Sequence, residues 1–258
     1  MLFTDAQISI WIGGFVWPWI RFSAMLLAAP LFSNMQIPIQ VRILLGVALA
    51  VAVMPAVGPV PAVDLLSVEA LLVALQEVLA GVLIGLMLSM SFQAAAVAGE
   101  AVGLTMGLGF ATMVDPQSGM TQPVISQFLI ILATLLFLSL GGHLMLIDLL
   151  AQSFRSLPVG NGGLVRQDFL AVVAFGSQMF AGGVLLALPA VAVLLVVQLA
   201  MGVMTRAAPQ MNIFSVGFPV TMLVGFLAML LLILPVLQPR LVELWGDAFG
   251  VARGLLGG

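Results

Sequence analysis

The chain has no lysine, no cysteine and one histidine, and only 7% of its 258 residues are charged. Without cysteine there is no disulfide framework, no thiol nucleophile and no thiolate-ligated metal. Seven arginines stand against ten acids, a formal charge of -3, so no basic surface is available to grip nucleic acid. His143 alone cannot make a metal site, because a second ligand such as Asp148, five residues on, lies off its helix face. It reads either as a hydrogen-bonded histidine near a helix break or as a proton relay. No cofactor is expected.

What fills the sequence instead is apolar: 63% of residues are hydrophobic and the mean hydropathy is +1.28, whereas a soluble globular chain carries about 25% charged residues. The chain reads as an all-α, polytopic integral membrane protein without a soluble domain. Its first residues carry no basic cluster, and the first apolar segment is expected to be retained. Apolar runs bounded by proline, glycine and charge give about six long, kinked helical segments: Ala6–Ala29, Pro38–Met54, Leu65–Gly99, Val124–Leu150, Phe169–Met204 and Phe214–Leu237. A short amphipathic helix is expected after Pro239. The third and fifth segments, at about 54 Å, exceed a hydrocarbon core of about 30 Å. They must tilt, break or project, and Gly81, Gly85, Gly176, Gly182, Gly183 and Pro189 are the candidate break points. Taken as six spans, the segments place four arginines on the side of the N-terminus and two opposite, a slim positive-inside margin.

Between the third and fourth segments lies Thr105-Met-Gly-Leu-Gly-Phe-Ala-Thr-Met-Val-Asp-Pro-Gln-Ser-Gly-Met-Thr-Gln-Pro123. Non-helical backbone beside membrane-grade hydrophobicity must be buried in protein or line a cavity, since lipid cannot satisfy its N–H and C=O groups. Met106, Phe110 and Met113 are soft apolar side chains on a glycine-jointed segment, the composition of a gate; most other methionines and phenylalanines fill gaps between helices. The spacing of Gly103, Gly107 and Gly109 lacks the Lys-Ser/Thr of a phosphate loop and reads as backbone freedom. Ser118 has Pro116 where a nucleophile elbow needs glycine, and no Walker A or HExxH occurs, so no enzyme signature survives.

Ionisable residues within the apolar runs are Arg21, Glu77, Glu100, His143 and Asp148, accompanied by Gln76, Gln93, Gln127 and Gln198. Such groups either pair structurally, as a carboxylate with an arginine, or line a conduit. The second choice keeps open a small-solute secondary transporter with Glu77 and Glu100 in its path.

The run Met106-Gly-Leu-Gly-Phe-Ala, then Val114-Asp-Pro-Gln-Ser-Gly and Pro123, then Gly141-Gly-His143, then Arg206-Ala-Ala-Pro-Gln-Met-Asn-Ile-Phe-Ser-Val-Gly-Phe-Pro219, resembles the FliR family. FliR is the flagellar member of the export-gate subunits of type III secretion systems, with homologues in virulence injectisomes. The resemblance covers almost the whole chain, and the Asp-Pro-Gln-Ser-Gly block leans flagellar. One departure is Thr221-Met222, where flagellar relatives often carry a basic residue.

The resemblance implies a non-enzymatic subunit of the flagellar export gate, in the bacterial inner membrane within the flagellar basal body. It implies an N-terminal FliP-like portion, residues 1–170, and a C-terminal FliQ-like hairpin with tail, residues 171–258. It further implies a helical assembly with FliP- and FliQ-type subunits and FlhB- and FlhA-type export proteins, through which unfolded flagellar proteins pass. The segment 105–122 would plug the channel: Met106, Phe110 and Met113 occlude it, Gly103, Gly107, Gly109 and Gly119 let the segment fold aside, and Asp115 with Pro116 anchors it.

Overall fold

A computed structural model describes residues 5–33, 37–64, 67–109, 124–160, 164–208 and 213–255. The helices are α1 (Asp5–Ala28), α2 (Ile39–Val53), α3 (Val68–Thr105), α4 (Val124–Ser139), α5 (Gly142–Ser156), α6 (Arg166–Ala207), α7 (Ile213–Ala228) and α8 (Leu234–Leu255). A 3-10 turn, Met54–Ala56, follows α2, and a π turn, Met229–Ile233, joins α7 to α8. Among the described residues there is no strand, so the chain is all-α. Among the described residues five helical stretches are long and apolar enough to cross a membrane, and a sixth counts if the bent pair α4–α5 is one span.

The fourth segment is not one helix. Gly141 adopts φ +72, a left-handed conformation open to glycine at little cost, and α4 and α5 meet there at 67°. The third and fifth segments, by contrast, run unbroken for 38 and 42 residues. The expected break points are reassigned by what they touch. A Cβ on Gly81 would overlap the Arg21 carbonyl oxygen, and one on Gly85 would sit 2.6 Å from Ala28 Cβ. These two glycines, four residues apart, are therefore a close-approach face against α1, as small residues serve in membrane helices. Local signals explain the other boundaries. Ser67 starts α3 by accepting the Ala70 N–H at 3.1 Å. Pro235 lacks the N–H that would bond to Leu231, and the backbone before it widens into the π turn. The tail expected after Pro239 is part of a longer α8.

The chain divides into two compact units, each gathered from distant stretches. The first holds residues 1–90, 138–176 and 245–258. Its interior includes Trp17, Phe22, Met25, Ile84, Met87, Leu150 and Phe154, and Val172 and Phe175 share a cluster with Ala248 and Leu255. The second holds residues 91–137 and 177–244. There Phe92 meets Phe137 edge-on at 5.4 Å, and Leu129, Ala133, Leu186, Leu194 and Ile233 are buried.

Candidate functional site

The end of α3 leads into the glycine-rich segment, and its termination accounts for its last backbone groups one by one. Gly107 takes φ +85. Its N–H bonds to the Leu104 carbonyl at 3.0 Å, and the Leu108 N–H reaches back to the Gly103 carbonyl at 3.0 Å. That pairing, with glycine just past the helix, is a Schellman stop. It leaves the Thr105 and Met106 carbonyls without a donor from the helix itself. Side chains from two other helices of the second unit supply what is missing. Gln198 on α6 donates its Nε2 proton to the Thr105 carbonyl at 2.6 Å, and the Thr221 hydroxyl on α7 lies 3.3 Å from the Met106 carbonyl and 3.0 Å from the Phe218 carbonyl of its own helix, its single proton shared between the two.

Met106 itself is fully buried, and its neighbour is Gly225 on α7. A Cβ at position 225 would lie 2.5 Å from Met106 Cγ and 2.7 Å from its Sδ, so only glycine leaves the notch in which the thioether rests. Gly103 is buried in the last turn of α3, and Gly109 lies where an added Cβ would meet Leu104 at 3.0 Å. Phe110, Met113, Asp115, Pro116 and Gly119 lie outside the described residues.

The ionisable residues do not converge. In the first unit, Arg21 and Glu77 form a two-pronged pair: Nε to Oε2 at 2.7 Å and Nη2 to Oε1 at 2.9 Å, with the side chains 1% and 2% exposed. Arg21 also donates Nη1 to the Ser153 hydroxyl at 2.9 Å and Nη2 to the Leu157 carbonyl at 3.0 Å, and its guanidinium stacks over Phe154 at 4.1 Å. Four hydrogen bonds and a ring face match the planar donor fork of arginine, which is how a buried charge pair is tolerated in an apolar interior. The cluster ties α1 to α3 and α5. Glu100 is exposed on α3, Asp148 accepts a 2.7 Å bond from Gln152, and His143 stands half-buried in the first turn of α5. Among the described residues no group of three or more His, Asp or Glu could hold a metal ion.

Some of these residues escape a reading of the sequence. Gln198 stands out as an amide in an apolar run, but nothing in its spacing ties it to residue 105. Thr221 is noticeable only as a departure from a basic residue, and Gly225 and Ser153 carry no signal at all, because their partners are 119 and 132 residues away.

A helical membrane protein whose described residues form no catalytic constellation invites comparison by its whole sequence. The model for the bacterial export proteins, family 1, matches residues 12–248, and the chain belongs to that family. It is 40% identical to the flagellar biosynthetic protein FliR of Pectobacterium carotovorum subsp. carotovorum over 99% of this chain and 97% of that one. With the FliR of Escherichia coli K12 the identity is 37%, covering 98% and 96%. The surface presentation of antigens protein SpaR of Salmonella typhimurium is 29% identical over 72% of this chain and 70% of its own.

Proposed function

We propose that this chain is a subunit of the flagellar type III export gate, and that it builds and closes a channel for unfolded flagellar proteins without performing chemistry. The observation that carries the reading is likeness to flagellar FliR proteins along nearly the entire chain, at higher identity and coverage than to SpaR. A site in the bacterial inner membrane, within the basal body, follows from the same reading, as do FliP-, FliQ-, FlhB- and FlhA-type partners. The two-part organisation, 1–170 FliP-like and 171–258 FliQ-like, belongs to the same reading and rests on the family likeness; the two compact units follow another division.

In this reading Met106, Phe110 and Met113 seal the channel, with Met106 at the base of the seal. Gly107 and Gly109 with Gly119 give the freedom to fold aside, Gly103 permits the tight last turn of α3, and Asp115 with Pro116 anchors the segment. A small-solute transporter would need Glu77 in its path, but that carboxylate is taken up by Arg21.

The test is complementation. In a flagellated bacterium lacking its own FliR, this chain should restore swimming and flagellin export. In the same cells, Phe110→Ala with Met113→Ala should assemble and leak ions, because a widened apolar constriction no longer excludes water. Failure to restore export despite normal insertion, or variants as tight as wild type, would overturn the reading.

A further inference from the structure

From the end of α3 we infer that Gln198, Thr221 and Gly225 form a clamp that fixes the stem of the glycine-rich segment through Thr105 and Met106, and that closure of the channel depends on it. The inference rests on the reading of this chain as a gate subunit. Three contacts from two helices meet on two consecutive residues: the Gln198 amide on the Thr105 carbonyl, the Thr221 hydroxyl, shared with its own Phe218 carbonyl, on the Met106 carbonyl, and a notch that receives the Met106 thioether. A Schellman turn is complete without tertiary partners and needs no notch for the residue it ends on; the two carbonyls that it leaves over have no lipid partner, and side chains of α6 and α7 meet them. Holding Thr105 and Met106 rigid leaves Gly107, at φ +85, as the first residue about which the following chain turns. Gln198 is exposed on its own helix and yet makes a 2.6 Å bond, so its role there is to position the stem and not to fill a core.

Because the chain has no cysteine, Leu108→Cys provides a unique attachment point for a nitroxide label just beyond the clamp, with the unsubstituted chain in the same purified complex as background. With the clamp intact, the label should be immobilised and the gate tight. Gly225→Ala should displace Met106, free the label and raise ion permeability. Met106→Ala in the same chain removes the atoms that the new methyl would strike, and should return the label toward the wild-type mobility, the permeability being read from the other variants because Met106 is itself part of the seal. Two variants spare the packing: Gln198→Glu removes the donor without changing shape, and Thr221→Val does the same, with Thr221→Ser as the restoring control. Loss of each bond should shift the held-to-free ratio about fivefold, the factor equivalent to roughly 1 kcal/mol.

Clamp variants that assemble, keep the label immobile and stay tight, beside a leaky Phe110→Ala/Met113→Ala pair, would overturn the clamp while leaving the gate reading in place. A freed label without a leak would also overturn it, since closure would then not depend on the stem. If the Phe110→Ala/Met113→Ala pair assembles and is tight as well, the gate reading falls and the clamp with it.

Discussion

At the scale of single residues, cost follows from what each side chain leaves behind. Glu77→Ala strands the Arg21 guanidinium in an apolar interior, and breaking a buried pair in this way costs about 3–5 kcal/mol. The variant should lower the melting temperature of the purified complex sharply. Replacing both partners, Arg21→Met with Glu77→Leu, should recover most of the loss, because no uncompensated charge remains. If Glu77→Ala melts like wild type, the pair is not a structural pin. Gly107→Ala meets a different obstacle: a Cβ at φ +85 costs about 1–2 kcal/mol in the left-handed region. Reduced swimming in soft agar with unchanged protein level is the expected outcome.

At the scale of helices, the glycines of α3 and α6 are not equivalent, and local sequence does not distinguish them. Gly81→Val would drive a side chain into the backbone of α1, and overpacking of this kind typically costs about 1–3 kcal/mol, more where backbone is struck. Gly176 has open space around it inside α6, so Gly176→Ala should be neutral or stabilise by about 0.5–1 kcal/mol through helix propensity. Thermal melts of the two variants in the same complex compare them directly, and equal effects would contradict the placement of α1 against α3.

At the scale of the whole molecule, α6 is about 63 Å long at 1.5 Å per residue, roughly twice a hydrocarbon core of about 30 Å. Val173, Phe180, Leu188, Val196 and Val203 are exposed along it. An apolar helix of that length needs cover beyond what a bilayer of ordinary thickness gives, even when tilted. The chain should therefore be monodisperse in detergent when co-expressed with FliP- and FliQ-type subunits and aggregate when produced alone. A thermally stable monomer obtained alone would refute this dependence.

Composition determined by itself that this is an all-α membrane protein, because long uninterrupted apolar runs with 7% charge satisfy their backbone in lipid as helices, whereas the strands of a barrel alternate apolar with polar residues. The sequence also marked the glycine-rich segment and named Arg21 and Glu77, since polar and flexible residues stand out against an apolar background. Only the tertiary structure decided which glycines break a helix and which bring two helices together. Gly81 is among the expected break points and yet packs against Arg21, sixty residues away in the chain, whereas Gly141, beside His143, is where the helix turns. It likewise decided that Gln198 meets Thr105 while Thr221 and Gly225 meet Met106, because hydrogen bonds and close packing depend on distance in space, which periodicity along one helix cannot report.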